Sequence, residues 1–433
     1  MLLKRIQLGL IHVAVAMTLV PINSTLNRVM IKELAISATL VAVLASLPYL
    51  FSPVQVAIGS FSDRHPLLGL RRTPYIILGL LLCVLGLVLS PHAAFLLADN
   101  WGAGILLGVI AFGAWGMGFN FATVAYLSLA SELSGEKNRG RTVAVMWFMM
   151  IISIIVTAIG LSRMVDPYTP QAMIRAFWTV GLLALSLGVL GLIRLESPLQ
   201  HGSIPSESHS WRILLKTILE NRQATLFFVY LVILLAAILG QDILLEPFGG
   251  EAFGMPIKDT TRITAIWGGC ALPALLVAGA LEGRVNKRAV ANLGAWGALL
   301  GFVLIAASGL LVSQGVFYAG VVLLGIGTGL ATVSNLSLML DMTAPSKVGL
   351  FIGAWGMANA VSRLIGTILG GAVRDLVTQI AQSPVIGYVV VFGIEAGLLL
   401  ISLFILRRID VRSFQRQSRQ ISLAEQLALS AEA

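Results

Sequence analysis

Long apolar runs separated by short polar breaks extend along most of the chain. A membrane-spanning helix needs about 20 apolar residues, and proline, glycine and charged residues mark the breaks between the runs. The pattern predicts an all-α membrane protein with twelve transmembrane helices. The predicted helices are Leu8–Ile31, Ala38–Ser60, Pro74–Ser90, Trp101–Leu129, Thr142–Leu161, Ile174–Leu192, Ala224–Gly240, Ile263–Leu281, Ala289–Val312, Gly315–Leu336, Gly349–Val373 and Pro384–Leu406.

The longest break divides the chain into two sets of six predicted helices. It covers Arg194–Arg222, has a linker composition at Ser203–His209, and then alternates apolar and basic residues along Trp211–Leu219. Such alternation predicts a short helix that lies on the membrane surface. The expected organisation is a bundle over 1–193, a linker over 194–222, a second bundle over 223–408 and a tail over 409–433.

Composition agrees with a polytopic membrane protein. Hydrophobic residues make up 57% and charged residues 11% of the chain, whereas about a quarter of the residues in a soluble domain are charged. The net charge of +9 indicates loops that face anionic lipid rather than nucleic acid. Cys83 and Cys270 lie within apolar runs and are expected to be packing residues, without a disulfide or metal framework.

The basic residues also predict an orientation. If both termini are cytoplasmic, most of the 29 Lys and Arg residues lie in cytoplasmic loops and tails, as the positive-inside rule requires. We therefore expect a multi-pass protein of an inner or photosynthetic membrane, with both termini in the cytoplasm. The chain shows no Walker A motif, zinc-ligand spacing or Ser-His-Asp set outside the bilayer, and an enzyme is not expected.

One polar stretch carries a recognisable loop pattern. Gly59, Asp63, Arg64, Arg71 and Arg72 follow the order G-x-x-x-D-R-x(6)-R-R, which resembles the loop between the second and third helices of major facilitator superfamily transporters. Glycine allows two helix ends to approach closely, and the acid is expected to accept hydrogen bonds or to pair with an Arg at the membrane surface.

The second half of the chain repeats this loop with one change. Gly279, Arg284 and Lys287-Arg288 occupy the corresponding places, but Gly283 stands where the first copy has its acid, and Glu282 precedes it. Two six-helix bundles with repeated loops are the plan of the major facilitator superfamily. The displaced acid is a departure from the superfamily pattern.

Polar residues inside the predicted helices are the candidates for a cavity or substrate-binding site, because such groups are costly in hydrocarbon. Asn23, Asn27 and Arg28 share one face of the first helix. The superfamily plan places that helix with the fourth, seventh and tenth around a central cavity. The other candidates are Asn120, Gln241, Asp242, Asn335, Asn359 and Arg363. Arg28 could instead extend to the membrane surface, and the whole set could serve only helix packing.

Two further residues, Glu395 and His12, have two interpretations each. An Arg363–Glu395 ion pair would neutralise two buried charges, and it could be structural or part of a site. His12 could ligate the magnesium of a chlorin or bond a neighbouring helix.

Several stretches are similar to the PucC/LhaA family in particular. They are Asn23–Ile31 with the sequence N-S-T-L-N-R-V-M-I, Leu47–Pro53, Leu68–Ile76, Asp341–Thr343, Gly349–Gly356 and Gly366–Gly371. The resemblance implies a protein that assists chlorophyll or bacteriochlorophyll delivery and light-harvesting complex assembly. The implied cargo is the pigment, and the implied partners are antenna or photosynthetic polypeptides and pigment-synthesis enzymes.

Two other functions remain open from the sequence. The first is a secondary transporter of a small amphipathic solute by alternating access, and the second is a scaffold that binds partner helices laterally. Proton coupling would need an acidic residue on a helix that lines the cavity. Asp242 is the candidate that the predicted helices offer.

Overall fold

The computed structural model of the protein describes residues 2–67, 69–197, 221–281, 284–341 and 348–410. Within these ranges the chain forms fourteen α-helices and no strand. They are α1 (Leu2–Pro21), α2 (Ala38–Ala45), α3 (Leu47–Leu50), α4 (Val54–Arg64), α5 (Thr73–Asp99), α6 (Trp101–Met164), α7 (Pro170–Leu192), α8 (Arg222–Gly240), α9 (Leu245–Phe253), α10 (Ile257–Ala280), α11 (Lys287–Leu311), α12 (Gln314–Asp341), α13 (Val348–Ala381) and α14 (Pro384–Arg408).

Eleven stretches of the described residues are helical, long and apolar enough to cross a membrane. The first is Leu2–Glu33, in which α1 continues through the π-helical segments Ile22–Leu26 and Val29–Glu33. Helix α6 contributes two spans because the chain turns at Gly135, whose φ of 62° suits a residue without a Cβ. The polar break predicted there is therefore much shorter than expected.

The second predicted helix is the one that differs most from the expectation. Instead of a single helix over Ala38–Ser60, the structure has α2, α3 and α4 in succession. Pro48 and Pro53 lie next to the two interruptions. Proline has no backbone N–H to donate, so it does not continue the hydrogen bonding of the preceding helix. This broken span occupies the place of the twelfth crossing.

Two helical segments extend further than the sequence pattern predicts. In the seventh span, α8 ends at Gly240, a 3-10 turn follows over Gln241–Ile243, and the chain then continues as α9. Helix α13 reaches Ala381 rather than Val373. These extensions place Asp242 within the molecule and add Arg374 and Asp375 to a helix.

Close glycine contacts hold corresponding helix pairs in the two halves of the chain. A Cβ on Gly118 of α6 would lie 2.5 Å from the backbone nitrogen of Cys83 of α5. A Cβ on Gly327 of α12 would lie 2.3 Å from the backbone nitrogen of Ala298 of α11. Any larger residue would separate these backbones, so glycine is required for the packing.

The N-terminal half is residues 2–197 and the C-terminal half is residues 221–410. The terminal end of the molecule is the end at which α1 begins and α14 ends, because an even number of crossings returns the chain to the same side. The far end is the opposite end, with the connections at 34–37, 100, 165–169, 254–256, 312–313 and 382–383.

Candidate functional site

Arg28 lies at the interface between the two halves, near the far end. Its side chain is 1% exposed, and its guanidinium donates to the Glu33 carboxylate at 2.8 Å and to the Met255 carbonyl at 3.2 Å. A Cβ on Gly250 would lie 2.2 Å from Arg28 Nε. The glycine therefore makes room for the guanidinium, and Arg28 is buried between the halves rather than extended to the surface.

Neighbouring residues add further bonds across the same interface. Lys32 Nζ donates to the Gly250 carbonyl at 2.5 Å, and the hydroxyls of Thr25 and Thr261 lie 3.0 Å apart. These bonds join the first span of the N-terminal half to α9 and α10 of the C-terminal half. The bond from Lys32 is charge-assisted, which is the stronger class in proteins; the bond between the two threonines is neutral.

Glu246 is a buried acid of α9 beside this contact. One carboxylate oxygen accepts a hydrogen bond from the Thr264 hydroxyl at 2.6 Å, and the carboxylate also lies beside Ser24 of the N-terminal half. Asn27 Oδ1 and Arg28 Nε are also buried without a partner. The interface thus contains polar groups with unused hydrogen-bonding capacity.

Asp375 of α13 forms the second polar contact between the halves. Its carboxylate accepts from the backbone N–H groups of Ala38 at 3.1 Å and Thr39 at 2.7 Å, and from the Thr39 hydroxyl at 2.6 Å. An acid at a helix N-terminus binds free N–H groups and the positive end of the helix dipole. An acid of one half therefore caps a helix of the other half.

Arg374 connects Asp375 to another acid of the C-terminal half. Its guanidinium contacts Glu251 at 2.8 Å and Asp375 at 3.0 Å, and it lies 4.9 Å from the centre of the Tyr388 ring. Arg374 neutralises both acids and fixes the orientation of the Asp375 carboxylate.

Arg363 of α13 lies at the interface, between Asp242 of its own half and Tyr49 of the other half. It forms a salt bridge with Asp242, it approaches the Tyr49 hydroxyl at 3.5 Å, and it lies 5.6 Å from the centre of the Tyr49 ring. Among the described residues no salt bridge joins Arg363 to Glu395, so the predicted ion pair is not formed in this arrangement of the halves. The 3-10 turn after α8 directs Asp242 toward Arg363, and the helix pattern did not predict that turn.

The remaining candidate residues of the predicted cavity have local partners. Asn120 donates to the carbonyls of Pro48 at 2.9 Å and Gly116 at 2.7 Å and also bonds Gln55, so it anchors the broken second span. Asn335 accepts from the Tyr230 hydroxyl at 2.8 Å. Both asparagines are buried, and among the described residues no hydrogen bond joins either of them to Asn23, Asn27 or Arg28.

Three of the other four amide side chains bond close to their own position. Asn27 donates to the Asn23 carbonyl at 3.1 Å, Asn359 donates to the Trp355 carbonyl at 2.9 Å, and Gln241 donates to Asp242 at 3.1 Å. Asn23 and Asn359 are partly exposed. The candidate residues therefore form separate groups, and the group in the middle of the interface contains Arg363, Asp242, Gln241 and Tyr49.

His12 lies inside the N-terminal half. It is 8% exposed, its ring centre is 5.1 Å from that of Tyr126, and its Nδ1 has no hydrogen-bond partner. A chlorin ligand needs an open space on one side of the imidazole. The packing against Tyr126 favours a role in helix packing.

The loop pattern of the N-terminal half forms an ordered network at the terminal end. Arg72 is buried and donates to Glu132 at 2.8 Å and to the Ser62 hydroxyl at 2.6 Å. The Glu196 carboxylate accepts from the backbone N–H groups of Arg71 and Thr73, each at 2.7 Å, and so caps α5. Each of these bonds joins residues of the same half.

The remaining residues of the loop pattern are Gly59, Asp63 and Arg64. Gly59 is close to Val124, since an added Cβ would lie 3.4 Å from it, and Arg64 is exposed. The side chain of Asp63 lies outside the described part of the structure, so its proposed pairing stays a prediction.

The corresponding loop of the C-terminal half is built differently. Nothing lies within 4 Å of a Cβ added to Gly279, so close packing does not require glycine there. Arg288 donates to the Leu406 carbonyl of α14. Glu282 and Gly283 lie outside the described residues, and the consequence of the displaced acid stays a prediction.

Comparison with known proteins places the chain in a family. The model described as PUCC protein matches residues 25–414. The chain belongs to the PucC family. Protein PucC of Cereibacter sphaeroides is 31% identical over 93% of this chain and 91% of its own length. A Rhodobacter capsulatus protein called "Bacteriochlorophyll synthase 44.5 kDa chain" is 29% identical over 92% of this chain and 94% of its own length.

Solved structures show which fold this member of the PucC family adopts. A bacterial homologue of the lysosomal transporter Spinster, in an inward-facing conformation, aligns with a TM-score of 0.73 at 12% identity over 95% of this chain and 97% of its own. The nucleoside transporter NupG aligns with a TM-score of 0.72 at 15% identity over 94% and 99% of the two chains. The fold is that of the major facilitator superfamily, as the repeated loops predicted.

Several site residues of this PucC-family chain were missed by the sequence analysis. Glu246 and Glu251 follow the predicted end of the seventh helix, and Arg374 and Asp375 follow that of the eleventh. A signal for them was present, because acids and an Arg in short connections between apolar runs could belong to longer helices. Lys32 and Glu33 carried the same signal, because they follow the predicted end of the first helix. Their partners, the Gly250 carbonyl for Lys32 and Arg28 for Glu33, came only from the structure.

Proposed function

We propose that this protein assists the delivery of chlorophyll or bacteriochlorophyll and the assembly of light-harvesting complexes. Membership of the PucC family over residues 25–414 is the observation that carries the proposal. Relatives named for PucC and for bacteriochlorophyll synthase cover nearly the whole chain, so the likeness extends to both halves and the interface between them.

The interface offers a polar group suited to one end of an amphipathic pigment. Arg363 and Asp242 retain 29% and 20% exposure in the middle of the molecule, and Arg363 contacts Tyr49 across the interface. A guanidinium can donate hydrogen bonds to the carbonyl substituents of a chlorin. Arg28 is bonded to both halves, so in this proposal it holds the far end closed rather than binding the cargo.

The proposed partners are antenna polypeptides and pigment-synthesis enzymes, which meet the protein in the inner or photosynthetic membrane with both termini cytoplasmic. In this proposal the chain handles the pigment without transforming it, so it is not an enzyme. The residues of the interface serve binding and movement of the two halves.

Deletion of the gene from a pigment-producing host tests the proposal. We expect the antenna absorption of the membranes to fall while extractable pigment remains, and the intact gene should restore the absorption. Unchanged antenna absorption in the deletion strain would exclude the proposed role.

A pair of variants locates the function within the molecule. Tyr49→Phe keeps the ring under Arg363 and removes a hydroxyl, whereas Tyr49→Ala removes both contacts. We expect graded loss of antenna absorption at equal protein levels in the membrane. Phe228→Ala, a change of a buried aromatic residue away from this polar group, controls for the effect of lost packing.

Alternating-access transport of a small amphipathic solute is the second candidate. It is favoured by the polar bonds that join the halves from the middle to the far end, together with the likeness in fold to transporters. Solute uptake into vesicles containing the purified protein would support it, and red absorption of a bound chlorin in the purified protein would favour the first candidate.

A further inference from the structure

Glu395 is a buried acid in the middle of α14. Its side chain is 5% exposed, and its Oε2 has no hydrogen-bond partner. Neither the assembly role nor the transport role uses this residue. It is therefore a buried titratable group that still needs an explanation.

The carboxyl group lies where α8 and α13 cross. A Cβ on Gly240 would be 3.0 Å from Glu395 Oε1 and 3.2 Å from the Gly366 carbonyl carbon. The two glycines bring the helix backbones together and leave space for the acid. Asp242 follows Gly240 by two residues, so the turn that carries Asp242 begins beside Glu395.

The cations on the elements around Glu395 already have other partners or lie at helix ends. Arg363 is bound to Asp242, and Arg374 is bound to Glu251 and Asp375. The remaining charged or titratable residues on α8, α9, α11 and α14 are Arg222, Tyr230, Glu246, Lys287, Arg288, Tyr388, Arg407 and Arg408. In the described part of the chain, no salt bridge reaches Glu395.

An ionised carboxylate in hydrocarbon costs several kcal/mol unless a cation compensates for it. A second negative charge near Asp242 would add repulsion. We propose that Glu395 is a proton-binding site that is occupied while the two halves are joined from the middle to the far end. This role goes beyond pigment handling and does not depend on which cargo is bound.

The contact between Arg363 and Tyr49 links this site to the arrangement of the halves. Tyr49 belongs to α3 of the N-terminal half, and Arg363 lies on α13, which packs against α14. When the halves separate at Tyr49, Arg363 becomes able to share its charge with Glu395. The carboxyl O–H bond then breaks and the proton passes to water. The group of Arg363, Asp242 and Glu395 is left with a net charge of −1, which the guanidinium and the water admitted by the separation stabilise.

Infrared spectroscopy of the purified full-length protein in lipid nanodiscs tests the site. A protonated carboxyl group in an apolar environment gives a C=O stretching band that a carboxylate does not. We expect Glu395→Gln to lose one such band at neutral pH. Asp242→Asn should weaken the band, because Arg363 without its counter-ion becomes able to balance a Glu395 carboxylate. This measurement needs no pigment, so it can fail independently of the proposed function.

Thermal unfolding of the same two variants separates a proton site from a structural ion pair. Glutamine resembles a protonated glutamate, so Glu395→Gln should keep the melting temperature of the unsubstituted protein. Asp242→Asn should lower it, because Arg363 loses its counter-ion. A melting temperature that falls for Glu395→Gln, or a carboxyl band that persists in it, would overturn the proposal.

Tyr49→Ala tests the link to the interface. Without the ring and hydroxyl, Arg363 is less constrained and should share its charge with Glu395, so the carboxyl band should be smaller at the same pH. An undiminished band in Tyr49→Ala would overturn the coupling between the proton and the movement of the halves.

Discussion

The two ends of the molecule use the same chemistry for different purposes. At the terminal end, Glu196 caps α5 within the N-terminal half. At the far end, Asp375 of the C-terminal half caps α2 of the N-terminal half. A carboxylate that caps a helix within one half stabilises that half. The same contact made across the interface stabilises one arrangement of the two halves.

The buried arginines repeat this contrast. Arg72 is bound to Glu132 and Ser62 within the N-terminal half, whereas Arg28 reaches the Met255 carbonyl of the C-terminal half. In the described residues, the polar bonds that cross between the halves extend from Tyr49 to the far end. The molecule is therefore joined at the far end, and its terminal end is organised one half at a time.

Labelling of introduced cysteines gives the largest expected difference between the ends. In a Cys270→Ala background, a cysteine at Arg408 and one at Gln314 occupy exposed positions at the terminal and far ends. With cytoplasmic termini, a membrane-impermeant reagent applied to intact cells should label only the cysteine at Gln314. Permeabilised cells, in which both sites should react, are the control. Labelling at Arg408 from outside would reverse the proposed orientation.

Arg72→Gln should cause the largest loss of stability. The change removes the buried guanidinium together with its hydrogen bonds, and it leaves the Ser62 hydroxyl without its charged donor. We expect denaturant unfolding to show a fall of about 2–3 kcal/mol in the free energy of unfolding. This figure already allows for solvent screening of the exposed Glu132. Arg64→Gln, at an exposed position of the same loop, should change the free energy of unfolding by much less. Equal effects of the two changes would contradict the importance of the Arg72 network.

Two matched changes of helix caps compare the ends directly. Glu196→Ala and Asp375→Ala each remove a carboxylate from a helix N-terminus, at a cost of about 1 kcal/mol. In hydrogen exchange, Glu196→Ala should increase exchange at the start of α5 alone. Asp375→Ala should increase exchange at the start of α2 and also loosen the far-end interface. If Asp375→Ala leaves the interface unchanged, the cap does not hold the halves together.

Lys258→Gln should have the smallest effect. Lys258 forms a salt bridge with Asp166 across the interface, but both side chains are more than a third exposed. Exposed pairs contribute about 0–1 kcal/mol and weaken with salt. Arg262→Gln, which removes a pair within one helix, is the control. A loss of stability from Lys258→Gln larger than that from Arg72→Gln would reverse the expected order of these contacts.

The sequence predicted the class of fold because the signals are local. A run of apolar residues is sufficient to identify a spanning helix, and the repeated loops around Arg72 and Arg288 indicated two related halves. Where proline interrupted an apolar run at Pro48 and Pro53, the run was misassigned as one helix. The apolar pattern continues across a break in the backbone, so the pattern alone does not reveal it.

The sequence identified polar residues in the membrane but not their partners. It singled out Arg28, Arg363 and Asp242, which do lie at the interface, and it grouped them with Asn120 and Asn335, which lie elsewhere. The family assignment came from short stretches such as Asn23–Ile31, because these residues are close together in the chain.

The tertiary structure alone decided which charges meet. Arg363 pairs with Asp242 rather than Glu395 because a 3-10 turn redirects the chain after Gly240. Asp375 reaches Thr39 because α13 extends beyond its predicted end and lies against α2. Whether a segment spans the membrane depends on the free energy of its transfer from water to lipid, which is a local property of its residues. Which residues meet across hundreds of positions in the chain depends on how the helices pack, and a local sequence pattern does not encode that packing.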